Sequence, residues 1–205
     1  MRRGHISPRP RRLLLAALLL VPSACATVHP YYDYASEPDP RKQEFLLGPA
    51  DVVRINVWKN TDLSVDATVR PDGRISMPLL GEIPAGGRTL AQLRSEIAQR
   101  LTTFVKDESA TVTVTVQNIN SYHFLVSGNV EHAGEFTSTH YVTVREALAL
   151  AGGPNRFGSA DQAVIIRVDP KRGTKRIPID YTAILDGTHP EQDLPIVAGD
   201  LIYVP

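Results

Sequence analysis

Cysteine is nearly missing from these 205 residues: Cys25 stands alone, so no disulfide can form within the chain. A long apolar run is missing too. Leu13 to Val21 is nine residues, which cover about 14 Å as a helix, half of a bilayer's hydrocarbon core. Positive charge is not in excess, with 22 Lys+Arg against 22 Asp+Glu. Five of the arginines lie in the first 24 residues, so the chain beyond them carries 17 basic against 22 acidic side chains, a net charge of −5. That balance argues against a nucleic-acid partner, which needs clustered cations for its phosphates. Catalytic signatures are also missing: there is no GxxxxGK[ST], no HExxH and no GxSxG. His29, His123, His132, His140 and His189 show no close ligand spacing, and Asp51, Asp72 and Asp200 sit at turns where backbone capping accounts for them. No cofactor, no metal and no enzymatic activity are expected.

What is present begins with an N-terminal leader. A basic start, the run Leu13 to Val21 and the small residues Ser23 and Ala24 make residues 1–24 a secretory signal, which places the mature protein outside the cytoplasm. Pro22-Ser23-Ala24-Cys25 resembles a lipoprotein box, which implies lipid attachment at Cys25. Pro22 departs from the aliphatic residue that such a box prefers. The alternative is cleavage after Ala26 by the A-x-A rule, which leaves a soluble periplasmic protein starting at Thr27. Ala26 after the cysteine resembles lipoproteins sorted to the outer membrane, and Arg11-Arg12 faintly resembles a twin-arginine signal.

Residues 25–45, with three prolines, many charges and no apolar period, read as a flexible tether, its Tyr31, Tyr32 and Tyr34 expected to lie on the first folded unit, the alternative being a docking patch. Beyond it, Val53, Ile55 and Val57 alternate with Arg54, Asn56 and Trp58, as in a half-buried strand. A second strand, Val65 to Val69, turns at Pro71-Asp72-Gly73 and pairs with a strand through Ile75 and Met77. Thr89 and Gln92 form a capping box for a helix whose buried face holds Leu90, Leu93, Ile97, Leu101 and Phe104 or Val105. Ala110 to Gln117 follows as a strand.

The second half repeats the grammar. Tyr122 to Ser127 and Glu135 to Ser138 are strands joined across Gly128 to Gly134. Thr143 and Glu146 cap a helix that stops at Gly152-Gly153-Pro154. Ala163 to Val168, Thr174 to Asp180 and Leu201 to Val204 are strands, with a helical turn from Tyr181 to Leu185. The pattern predicts an α+β fold of two consecutive small β-grasp-like modules, residues 46–120 and 121–205. Gly48-Pro49-Ala50-Asp51 and Val197-Ala198-Gly199-Asp200 are an internal echo, each with an Asp just before an apolar strand.

LLGPADVVRINVW (46 to 58), TVRPDGRISMPLLGEI (68 to 83) and the helix from Thr89 resemble the polysaccharide biosynthesis/export domain of Wza-type outer-membrane export lipoproteins. HFLVSGNVEHAGEF (123 to 136), VREALALAGGP (144 to 154), VIIRVD (164 to 169) and IVAGDLIYVP (196 to 205) resemble one soluble-ligand-binding β-grasp module. Gly48, Asp51, Pro71, Asp72, Gly73, Gly128, Gly134, Gly152, Gly153, Gly199 and Asp200 are the turn positions of those motifs.

The resemblance implies a periplasmic component of capsule or exopolysaccharide export, lipid-anchored to the outer membrane and assembled into a homo-oligomeric ring. The implied partners are the polysaccharide and an inner-membrane copolymerase, often paired with a tyrosine autokinase. Longer members add further modules and a membrane-crossing helix. The sequence stops at Pro205, and with no apolar helix of about 20 residues the expectation is a separate outer-membrane β-barrel partner. Two rival functions are a sugar- or peptidoglycan-binding periplasmic lipoprotein without a conduit role, and a glycan-processing enzyme.

Overall fold

A computed structural model describes residues 32–104, 111–169 and 173–205. The first core is built on alternation. In β1 (Val52–Val57), Val53, Ile55 and Val57 are buried while Arg54 and Asn56 face water. β1 is the middle of a three-stranded antiparallel sheet between β2 (Val65–Thr68) and β5 (Val112–Asn118), with Val53 opposite Ala67 and Ile55 opposite Val114. β3 (Arg74–Met77) pairs with β4 (Gly81–Pro84) in a separate two-stranded sheet.

That pairing corrects the expected hairpin. The turn forms at Pro71-Asp72-Gly73, where Gly73 N–H donates to the Arg70 carbonyl at 2.8 Å, but the ladder of β3 belongs to β4. β2 instead spends its backbone groups on β1.

α1 (Leu90–Leu101) closes this core with Leu93, Ile97 and Leu101 fully buried. Each such aliphatic side chain contributes about 1.5–3 kcal/mol by leaving water. The capping box is formed: the Thr89 hydroxyl accepts from Gln92 N–H, and the Gln92 side chain accepts from Thr89 N–H. The helix ends one turn earlier than its apolar spacing suggested. Phe104 is 56% exposed and outside the core; Val105 lies outside the described residues.

The second core sits under a five-stranded mixed sheet ordered β7, β6, β10, β8, β9. Here β6 is His123–Gly128, β7 Gly134–Thr137, β8 Ala163–Asp169, β9 Gly173–Ile179 and β10 Leu201–Val204. β10 runs parallel to β6 and antiparallel to β8. α2 (Val144–Leu150) buries Val144, Ala147 and Leu148 against it, and α3 (Tyr181–Asp186) adds Tyr181, Ala183 and Ile184. α2 stops as expected: Gly153 N–H reaches the Leu148 carbonyl and Gly152 N–H the Ala149 carbonyl, a Schellman pair. The architecture is α+β, with helices and sheets in both halves.

The stretch ahead of β1 is not a free tether over its described part. Tyr34–Ser36 and Pro40–Lys42 are short 3-10 turns. Tyr32 and Tyr34 pack against the second core, not the first, and the Tyr34 hydroxyl donates to the Pro178 carbonyl at 2.8 Å. Pro178 stands on the edge strand β9, where it has no N–H to offer a neighbour and its carbonyl is taken by Tyr34.

Candidate functional site

Both echoed Asp turns are built, and both carboxylates are buried, Asp51 at 0% exposure and Asp200 at 1%. In each turn the carboxylate accepts from the N–H three residues back, Gly48 and Val197, at 2.8 Å. In each the residue before the Asp has positive φ, 71° at Ala50 and 85° at Gly199. The turns differ in how the remaining lone pairs are used.

Asp51 turns toward the junction between the two cores. It accepts from Asn120 N–H, Ser121 N–H and the Ser121 hydroxyl, each at 2.8 Å, and the Asn120 amide returns a bond to the Ala50 carbonyl. Gly48 is pressed against the same junction, where an added Cβ would lie 2.4 Å from Ser121 Cβ. The residue at 48 must therefore be glycine for the junction to close.

Asp200 receives an arginine instead. Arg167 on β8 donates through Nε and Nη2 to the two carboxylate oxygens at 2.9 and 2.6 Å, and through Nη1 to Glu37 at 3.0 Å. Glu37 has a side chain only 2% exposed and also takes Lys175 and the Tyr32 hydroxyl, the latter at 2.6 Å. Burial pushes the Glu37 carboxyl up, but Lys175, Tyr32 and Arg167 outweigh it and hold it below its usual range. The Lys175 ammonium is raised, first by Glu37 and then by Tyr32. Burial disfavours the Arg167 cation, yet Asp200 and Glu37 raise it overall. A buried charge set of this kind holds only because every member is paired.

The other motif positions occupy separate turns and do not converge. Pro71, Asp72 and Gly73 make the turn before β3, Gly134 opens β7, and Gly152 and Gly153 end α2. Gly128 ends β6 at φ 90°, where a Cβ would fall 1.9 Å from the Val204 carbonyl oxygen. These glycines and aspartates shape the scaffold. Cys25 lies outside the described residues.

One surface feature escaped sequence reasoning. The outward residues of β1 and β5, with Trp58 and Thr111 just beyond the ends of those strands, form an open groove of about 530 Å³ lined by Arg54, Asn56, Trp58, Thr111, Thr113 and Thr115. Both alternations were readable, but not that these two strands are neighbours. Among the described residues no cluster of three or more His, Cys, Asp or Glu is placed to hold a metal ion, and no helix is long and apolar enough to cross a membrane.

Comparison with known proteins fits this division into two cores. The model of the family described as "Polysaccharide biosynthesis/export protein" matches residues 39–117, and that of the SLBB domain matches residues 124–180. The chain is thus similar to a polysaccharide export domain over its first core and to an SLBB domain over its second. The first match spans the first core from just before β1 to β5, and the second begins within β6 and ends after β9. Arg167 lies inside the second match, while both its carboxylate partners, Glu37 and Asp200, lie outside the two matched spans. The chain is also similar to "Exopolysaccharide production protein ExoF" of Rhizobium meliloti (strain 1021), with 30% identity over 128 residues. That alignment covers 57% of this chain and 30% of the relative, so the chain spans under a third of that protein's length.

Proposed function

We infer that this protein is a periplasmic component of an exopolysaccharide or capsule export machine, with residues 46–120 and 121–205 as its two domains. The observation that carries the reading is the ordered pair of family matches, each lying over its own hydrophobic core. The similarity to an exopolysaccharide production protein supports the cargo class. In this reading the chain is lipid-anchored through Cys25, forms a homo-oligomeric ring and hands polysaccharide from an inner-membrane copolymerase to an outer-membrane β-barrel. Its role is mechanical rather than catalytic. The two buried carboxylates support that view, since backbone N–H, hydroxyl and guanidinium donors already engage them.

A deletion strain tests the proposal. The export function requires that surface polysaccharide disappears while precursor accumulates inside. Unchanged surface polymer points to a binding lipoprotein, and polymer of altered length points to a processing enzyme. Either result rejects export. Palmitate labelling of the wild type against Cys25→Ser checks the anchor.

A further inference from the structure

Six side chains on the outer face of the first sheet are placed with regularity and take no part in either core. Across the β1/β5 ladder, Arg54 faces Thr115 and Asn56 faces Thr113, and Trp58 N–H bonds the Thr111 carbonyl at 2.9 Å. Threonines on an exposed strand need no ligand to explain them, because β-branched residues fit a pleated surface. What sets this row apart is the uncovered indole at its head.

Trp58 is the sole tryptophan in the chain, and it is 62% exposed. Its backbone is held at both ends: the N–H is bonded to Thr111, and the carbonyl accepts from the Asn60 amide at 3.2 Å. The indole is therefore presented from a fixed strand end. Tryptophan offers an apolar contact area of order 150–250 Å² at low conformational cost.

The lining also has a definite charge character. Of the six side chains only Arg54 is ionic, and Asp66 neutralises it through two contacts of 2.7 Å. The rest of the row offers hydroxyls and a carboxamide. A polyanion such as a nucleic acid requires unpaired cations, and an apolar peptide requires more apolar wall than one indole. A pyranose ring has a C–H face for the indole and hydroxyls for Thr, Asn and Arg. From Trp58 to Arg54 the strand rises about 14 Å, room for a short run of sugar units along an open surface.

We propose that the β1/β5 face is a glycan-contact site, with a polysaccharide strand lying along the sheet and one sugar ring stacked on Trp58. The proposal rests on the export function above and names the cargo-contacting surface. Its contacts are few and open to water, which suits a polymer that must keep moving.

Because Trp58 is the only indole, tryptophan emission reports this groove alone. The purified full-length protein is titrated with oligosaccharides from partial hydrolysis of the host's own exopolysaccharide, and in parallel with peptidoglycan glycan strands. A saturable blue shift with the first and none with the second is expected. By calorimetry Trp58→Ala weakens binding about tenfold or more, and Trp58→Phe stays within about threefold of wild type. Thermal melts of both variants check that they fold. In cells Trp58→Ala lowers surface polysaccharide several-fold at unchanged protein level.

An unmoved emission spectrum, wild-type affinity in Trp58→Ala, normal surface polysaccharide in that variant, or a response to peptidoglycan strands alone overturns the proposal. If any of these comes with a deletion strain that has lost its surface polymer, the groove assignment falls and export stands. If the deletion strain exports normally, export itself falls.

Discussion

Ala50 and Gly199 hold equivalent places in two turns of the same design, and only one of them has a side chain. An L-residue with a Cβ pays about 1–2 kcal/mol to sit in the left-handed region, and Ala50 sits there at φ 71°. Ala50→Gly is expected to raise the unfolding free energy by about 1 kcal/mol, part of the relief being returned to the more flexible unfolded chain. Urea unfolding at constant m-value measures it. The neighbouring Asp51 carries the opposite expectation. All four of its partners are donors, so Asp51→Asn must turn an amide NH2 toward at least one N–H or O–H. A loss of about 2–4 kcal/mol is expected in the same urea experiment. A change under 1 kcal/mol would mean that the junction at Asn120 and Ser121 is held by something other than this carboxylate.

Elements whose signal is local were legible in the sequence, and elements defined by distant partners were not. Both capping boxes, the Gly152-Gly153 stop and the span of β10 follow from residues within a turn of each other. The β3/β4 pairing and the docking of residues 32–37 depend on partners that no local pattern names. Glu37 and Arg167 are 130 residues apart, and an acidic, proline-containing stretch looks the same whether it is docked or free. Trp58, too, was placed on the outward face of its strand, but its groove exists only because β5 lies alongside.

The docked segment has a pH signature of its own. Since the folded state holds Glu37 below its usual range, its contribution is complete above the unfolded value near 4.5 and declines as pH falls through the depressed folded one. Amide exchange over residues 34–43 is expected to accelerate in that acid window. In Glu37→Gln the segment exchanges fast already at neutral pH, and its acid dependence flattens. Equal protection in wild type and variant would show that Tyr32 and Tyr34 alone hold the segment down.

At the scale of the whole molecule, the chain starts its described course on the second core, builds the first core, and returns. The Asp51 set fastens the first core to the junction at Asn120 and Ser121, and the Arg167 set fastens the leading segment, through Glu37, to the second core. The surface left over is uneven. The outer face of the five-stranded sheet carries Leu125, Leu201, Tyr203, Val164, Ile166 and Val168, with Leu125 beside Leu201 and Tyr203 beside Val164. Val168 is 66% exposed, and Leu125 and Tyr203 also face water. Contiguous apolar area of this kind marks a contact surface. In the proposed ring it is the natural place for one subunit to meet the next. Its residues point away from the core, so charging them leaves the fold intact. Tyr203→Glu combined with Val168→Glu is expected to reduce the oligomer to monomers in native mass spectrometry, with an unchanged far-UV spectrum and melting temperature. An oligomer of wild-type mass in that variant would move the subunit contact to another face, and a monomeric wild type would remove the ring itself.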